Sequence, residues 1–307
     1  MSNYGSLYAL STAIMFATFG VVAKYIYTYN LTSNMVFLVS SLFSVLILFG
    51  VLLRRHGNFK FMRIDARNFK LSFLGAGVVG LFLPNVFVLT ALQHIGVGVQ
   101  KAITYSNPLF TILVYRFLYG KRLSRNEALG VALMVLGLVL VVGNATASGS
   151  HLFYGVLFSL LAAFFSSLNS MLTETSRTTL DVVLYWFYSF LGATVFSLTV
   201  MLVTRESTNI FPLFSSPRLI FLLFLCALMN FVLPYLTFFK AVTTIGAVRT
   251  GIIMTTAPAL TAVFGVVFFG ERITLLQIFG IAMIIGASLV SSLKPKMTPP
   301  EGLKVGI

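Results

Sequence analysis

The sequence predicts an all-α integral membrane protein of ten transmembrane helices, built as two inverted-topology five-helix repeats. Three observations predict it. Of the 307 residues, 58% are hydrophobic and only 9% are charged, too little polar surface to cover a fold in water. Apolar runs of roughly 20 residues, the length that crosses the hydrocarbon core, recur along the whole chain. The second half also repeats the first at an offset of 150 positions: Tyr4-Gly5 returns as Tyr154-Gly155, Leu83-Pro84 as Leu233-Pro234, Ile95-Gly96 as Ile245-Gly246 and Pro108 as Pro258. A repeat inside an apolar chain is a common construction of secondary transporters, with the substrate between the copies.

The elements follow in order. The first span covers 4–27, and Tyr25, Tyr27 and Tyr29 at its far end read as an interfacial aromatic belt. The second covers 33–53 and ends on Arg54-Arg55-His56. The third, 70–92, carries Pro84 and Asn85. The fourth, 97–119, is interrupted by Pro108, just after Thr104-Tyr105-Ser106-Asn107. The fifth, 127–144, has Gly130 and Gly137 at helical spacing, which lets helices approach closely. Residues 145–151 are small and polar and read as an extracytoplasmic linker. The sixth span, 152–173, clusters Ser166, Ser167, Asn169 and Ser170. The seventh, 182–204, starts near Trp186, read as a membrane anchor. The eighth, 218–241, holds Asn230, Pro234 and Tyr235. The ninth, 247–269, has Thr255-Thr256 before Pro258. The tenth, 274–293, carries the packing glycines Gly280 and Gly286, and residues 294–307 form a tail. The repeats are thus 1–144 and 152–293.

Charge sets the orientation. The net charge of +14 does not read as nucleic-acid binding, because the basic residues cluster in short loops between apolar runs. The most basic loop, from Arg54 to Lys70, is placed in the cytoplasm, as are Lys121, Arg122 and Arg125. Parity then puts both termini and the tail in the cytoplasm, in a plasma-membrane protein. Five spans per half is an odd number, so the second copy runs in the opposite sense. The loop after the ninth span, where Glu271 balances Arg272, falls outside. The lone Cys226 lies in an apolar run and forms no internal disulfide. No cleavable leader is expected before the first span.

Ile95-Gly96, Asn107-Pro108-Leu109-Phe110-Thr111 and Gly120-Lys121-Arg122-Leu123-Ser124, with Gly130 and Gly137, resemble the repeat signature of EamA-type transporters in the drug/metabolite transporter superfamily. Ile245-Gly246, Ala257-Pro258-Ala259-Leu260-Thr261, Gly270-Glu271-Arg272-Ile273-Thr274 and Gly280 resemble its second copy. The glutamate usual after the glycine is present as Glu271 and replaced by Lys121 in the first copy. The resemblance spans essentially the whole chain. It implies transport of a small organic solute, with an amino acid or related metabolite as the expected cargo and export as the expected direction.

Polar residues at mid-span are the candidate substrate ligands: Asn85, Tyr105, Asn107, Asn169, Asn230, Tyr235 and Thr256. Interhelical hydrogen bonding is the plainer explanation for any lone Ser or Thr. Two asparagines near repeat-related prolines argue for a cavity lining. Pro84, Pro108, Pro234 and Pro258 mark the expected helix breaks or hinges. Lys101 and Arg249 are the cations best placed to receive a carboxylate or phosphate. Arg116 and Lys240 are expected to snorkel, and Lys24 lies near the outer end of the first span. None of the seven acidic residues falls at a span centre, which disfavours a carboxylate proton relay and leaves Glu174 as the fallback. His56, His94 and His151 lie in or beside loops.

The rival within transport is a carrier or exchanger of phosphorylated or nucleotide-linked solutes, clamped by Lys101 and Arg249. A membrane enzyme would need a ligand cluster, a phosphate loop or an acid–base pair, and the chain carries none of these patterns. A channel would need charged rings or carbonyl filters, which are also absent from the pattern. No catalytic residue, metal or cofactor is expected. The expected partners are a small-molecule substrate and the bilayer, with no nucleic acid. The sequence leaves the oligomeric state open, and a monomer satisfies the reading.

Overall fold

The computed structural model describes residues 2–57, 64–119, 125–143, 145, 149–176, 181–204, 216–245, 250, 253–254 and 256–292. Among them the only regular structure is helix. α1 covers Ser2–Tyr27 and α2 Ser33–His56. α3, Ala66–Lys70, runs through a π-helical stretch, Leu71–Phe82, into α4, Leu83–Leu92. α5 is Val97–Thr104, α6 Asn107–Tyr119 and α7 Arg125–Gly143. α8 is Gly149–Ser176 and α9 Val182–Val203. α10, Pro217–Cys226, continues through a second π stretch, Ala227–Val232, into α11, Leu233–Ile245. α12 is Thr256–Phe269 and α13 Leu275–Ser292.

Among the described residues six stretches are long and apolar enough to cross a membrane: Tyr4–Tyr27, Ser33–His56, Ala66–Leu92, Gly149–Asn169, Val182–Val203 and Pro217–Ala241. Shorter apolar helices, Ala128–Gly143, Thr256–Phe269 and Leu275–Ala287, accompany them. Large apolar side chains such as Leu46, Phe221 and Phe279 remain exposed, as lipid-facing surfaces require.

Local chemistry explains the ends. Thr32 accepts from Met35 N–H at 3.2 Å to start α2, and Gly57 ends it in the left-handed region at φ 64°. Asp181 accepts from Val183 and Leu184 N–H at 2.9 and 3.2 Å at the start of α9. Gly270, at φ 62°, closes α12 with Glu271 N–H bonded to Gly265 O at 3.1 Å. Thr274 and Gln277 then bond reciprocally at 3.0 and 3.2 Å, a capping box that starts α13. The Gly-x-Arg-x-Thr landmark of the second copy is therefore a stop followed by a start.

The repeated prolines have a common effect. Pro84 and Pro234 lack an N–H and crowd the preceding turn. In each copy the helix relaxes into π geometry just before the proline. Leu83 N–H bonds Val78 O, and its repeat equivalent Leu233 N–H bonds Leu228 O, each five residues back. The prolines widen the helix instead of breaking it. The fourth span does break: α5 ends at Thr104, Tyr105 and Ser106 form a turn, and Pro108 is the second residue of α6. Pro258 is the third residue of α12.

Packing exchanges one helix between the halves. α1 leaves the first half and packs on α11 and α12 of the second. α8 leaves the second half and packs on α4, α5 and α6 of the first. The seams match in detail: Gly5 meets the Ile245 side chain, and its equivalent Gly155 meets Ile95. α2 is joined to α9 by Ser197 Oγ donating to Asn34 Oδ1 at 2.6 Å and Thr194 donating to Ser41 at 2.9 Å. α7 and α13 touch backbone to backbone. A Cβ on Gly137 would lie 2.7 Å from Gly280 O, and one on Gly280 2.7 Å from Gly137 O. Gly286 differs from the expectation, because nothing lies within 4 Å of its would-be Cβ. Its spacing on the helix is right, but its azimuth faces open space.

Candidate functional site

Four helices bring aromatic and cationic side chains together where the halves meet. Lys101 projects from α5 with its Nζ 5.7 Å from the Phe16 ring of α1 and 5.4 Å from the Tyr105 ring. Phe16 meets Tyr235 of α11 edge-on at 5.7 Å, and Tyr235 packs on Trp186 of α9 at 4.3 Å. Three predicted residues are thus brought together, Lys101 and Tyr235 through Phe16 and Tyr105 through Lys101. Among the described residues the ion pairs are Lys24–Glu271 and Arg55–Asp181, and neither involves Lys101. A lysine ammonium held against ring faces and without a carboxylate is costly inside a bilayer. Its ring contacts supply part of the stabilisation, and an anionic group entering the site supplies more.

Trp186 corrects the sequence reading. It is 5% exposed and belongs to the main core, so it is a wall of this cluster and not an interfacial anchor. Tyr27 also departs from the belt reading, because its hydroxyl donates inward to Leu89 O at 2.7 Å. Tyr25 is exposed and rests on Phe269 at 5.5 Å.

The buried asparagines form a second set. Among the described residues, Asn169 Oδ1 and Asn230 Nδ2 are buried atoms with no hydrogen-bond partner, as is Ser106 Oγ at the break between α5 and α6. The Cys226 thiol, a weak acceptor, lies beside Asn230. Asn230 Oδ1 is 3.5 Å from Thr18 Oγ1 of α1, and Asn169 lies against Gly80 in the π stretch. Positions 80 and 230 are repeat equivalents. Both asparagines come from the second copy, Asn169 on the exchanged helix α8 and Asn230 in a π stretch, and each sits in a seam between an exchanged helix and a π-helical host. An orphaned acceptor and an orphaned donor in such seams are the polar groups that a substrate or ordered water satisfies.

Other predicted residues lie elsewhere. Asn85 Nδ2 donates to Leu81 O at 2.8 Å, capping a carbonyl at the π-to-α junction. Asn107 opens α6, and its carbonyl accepts from Thr111 at 3.1 Å. Thr256 is exposed and donates to Ile253 O at 2.8 Å. Pro84, Pro234 and Pro258 are buried, and Pro108 is half-buried. Arg249, Thr255 and Lys121 fall outside the described residues, as does the side chain of Glu174. Arg116 and Lys240 are exposed, Lys240 lying 5.6 Å over the Tyr8 ring. Phe16 and Thr18 went unflagged in the sequence. Thr18 and Thr12, the latter bonded to Thr237 at 2.7 Å, are polar interruptions of an apolar span, and that was the available signal.

Glu271 is the largest departure. The sequence reads it as a surface charge balancing Arg272. Instead Oε1 pairs with Lys24 Nζ at 2.7 Å and accepts from Val97 N–H at 2.8 Å. Oε2 lies 3.4 Å from Gly98 N–H. A carboxylate at the N-terminus of α5 matches the helix dipole. At the same face a cavity of about 1150 Å³ opens, lined by Lys24, Asn30, Thr90, Gln93, His94 and Glu271 among others. His94 Nδ1 lies 3.2 Å from His151 Nδ1. Burial first, then the neighbouring His151, holds the His94 imidazole below its ordinary range.

Comparison with known proteins places this arrangement. The EamA-like transporter family matches residues 3–143 and again 153–293. An "uncharacterized inner membrane transporter YicL" of Salmonella typhimurium is 26% identical over 297 residues, covering 94% of this chain and 95% of its own. An "uncharacterized transporter" of Archaeoglobus fulgidus is 24% identical over 220 residues, 72% of this chain and 75% of its own. A solved crystal structure superposes with a TM-score of 0.66 at 15% identity, over 94% of this chain and 96% of that one, a likeness of fold. Two family matches that together span nearly the whole chain identify it as a multi-pass integral membrane protein, and the chain belongs to the EamA-like transporter family.

Proposed function

We propose that this protein is a secondary carrier that moves a small organic solute across the cell membrane by alternating access between two inverted five-span halves. The ten crossings are α1, α2, α3–α4, α5–α6, α7, α8, α9, α10–α11, α12 with the residues before it, and α13. The basic loop after α2 marks the cytoplasmic face, with both termini on that side and the Glu271 face outside. The observation that carries the reading is the exchange of α1 and α8 across the halves, with Lys101, Phe16 and Tyr235 meeting at one seam. Rocking the halves slides these seams and exposes their contents to one face and then the other.

The substrate we favour is an amphipathic or zwitterionic metabolite, an amino acid or relative, moved outward. Its carboxylate pairs with Lys101, its apolar body packs on Phe16, Tyr105 and Tyr235, and its amino or hydroxyl groups meet the asparagines. A sugar phosphate or nucleotide-linked solute would use the same cation, and the observation in its favour is that Lys101 makes no ion pair among the described residues. The chemistry is binding and release, with no bond made or broken.

The test is transport by purified protein in sealed liposomes, over a labelled panel of amino acids, carboxylate metabolites, sugar phosphates and nucleotide sugars. Saturable flux of a panel member that falls on replacing Lys101 by Gln supports the reading. Flux unchanged in both Lys101→Gln and Tyr235→Ala overturns the site assignment.

A further inference from the structure

The contact between Lys24 and Glu271 joins three segments from both halves. Lys24 is near the end of α1, Val97 and Gly98 open α5, and Glu271 sits in the turn before α13. Glycines make the room. A Cβ on Gly265 would lie 2.6 Å from Glu271 Oε2, and one on Gly96 2.8 Å. The large cavity at this face has Lys24 and Glu271 in its wall. On the protein side, Lys101 lies one turn along α5 from Val97. On α1, Phe16 lies eight residues before Lys24, about 12 Å along the axis at the usual rise. The same two helices are therefore tied twice: once at the mouth by Glu271, once inside by Lys101 on Phe16.

The sequence carries an independent sign that this pair is a unit. At the repeat offset, Lys24 corresponds to Glu174 and Glu271 to Lys121. The first copy has lysine at both positions and the second has glutamate at both, so the repeat counterpart of Lys24–Glu271 across the copies is Glu174–Lys121, again one base and one acid with the two exchanged. A surface charge of no consequence has no reason to change sign together with its partner.

We propose that the Lys24–Glu271 pair is the seal between the outer cavity and the Lys101 cluster, a positioning pair for transport that parts whenever the site opens to that face. The proposal rests on the carrier reading above. Parting withdraws the carboxylate from an ammonium and from the α5 N-terminus together, so the closed state is held by several charge-assisted contacts. Opening needs only a small separation of the α12–α13 turn from α1 and α5.

The test uses the full chain in proteoliposomes, with Cys226→Ser to remove the native thiol and Lys101→Cys as reporter. A membrane-impermeant maleimide is applied from the Glu271 face. Glu271→Gln and, separately, Lys24→Met are expected to raise the labelling rate roughly tenfold or more, the shift expected from losing one charge-assisted hydrogen bond. Lys24→Arg is expected to keep the slow rate. Labelling that stays slow in both Glu271→Gln and Lys24→Met overturns the seal. Should Glu271→Gln fail to fold, Lys24→Met decides alone. Failure of the carrier reading shows separately, as absence of flux through the wild-type chain for every solute in the panel.

Discussion

Replacing Gly137 or Gly280 by Ala tests the backbone contact that joins α7 to α13. Each new Cβ would stand 2.7 Å from the other glycine's carbonyl oxygen. Ordinary carbon–oxygen contacts lie near 3.3 Å, so the helices must part by about 0.6 Å. The obstacle is backbone, which cannot swing aside as a side chain can. Overpacking of this kind costs about 1–3 kcal/mol. The two sites share one relief: once the helices have separated for the first Cβ, the second has most of its room. The double variant Gly137→Ala with Gly280→Ala is therefore expected to cost clearly less than the sum of the singles. Gly286→Ala is the control on the same helix, with nothing within 4 Å of its Cβ. It is expected to be neutral or to gain up to about 1 kcal/mol from helix propensity. The assay is thermal unfolding in detergent with size-exclusion recovery. Singles that melt with the Gly286→Ala control, or a double equal to the full sum, would refute the close crossing.

Three further outcomes are expected. Pro84→Ala and Pro234→Ala restore an N–H and let the preceding π turns relax towards α geometry. Both proteins should fold, with transport impaired in the liposome assay, and full flux in both would remove the π stretches from the mechanism. His94, held low by burial and by His151, favours its neutral form in the fold. Its contribution to stability is present above the ordinary imidazole pKa and is lost as pH falls below it. Titration of labelled histidine by NMR should find the His94 midpoint below the ordinary value and higher in His151→Ala; an unmoved midpoint would dissociate the two rings. Asn169→Ala and Asn230→Ala delete orphaned buried atoms, and Asn230→Ala also removes the Oδ1 facing Thr18 Oγ1 at 3.5 Å, so Asn169→Ala should cost little stability, Asn230→Ala somewhat more, and both should lower substrate affinity. A large loss of melting temperature in both would make them structural instead.

What the sequence made legible was whatever the repeat or the apolar pattern encodes. Gly5 and Gly155 recur at the offset and make matching seam contacts, and Leu83-Pro84 and Leu233-Pro234 both end π turns. Lys101, Tyr105 and Tyr235 were visible as polar groups in apolar surroundings. What stayed hidden depends on azimuth and on which helix comes alongside. Trp186 lies one turn into α9, where depth suggests an interface, yet its face of the helix looks inward to Tyr235. Asn85 stands beside a mid-span proline, and the proline's own local demand on the backbone claims its amide. Glu271 has Arg272 as its sequence neighbour, but its partner Lys24 is nearly a whole chain away. The exchange of α1 with α8 also lies beyond periodicity, because no pattern within a span names the half that it will join.

The most direct test of the central claim is the sidedness of equivalent loops. In a chain with Cys226→Ser, single cysteines are placed at the repeat-related positions Asn30→Cys and Leu180→Cys, and an impermeant thiol reagent is applied to each face in turn. Two inverted halves predict reaction of Asn30→Cys from the outer face and of Leu180→Cys from the cytoplasmic face only. Reaction of both from the same face would contradict the inverted pair and the carrier built on it.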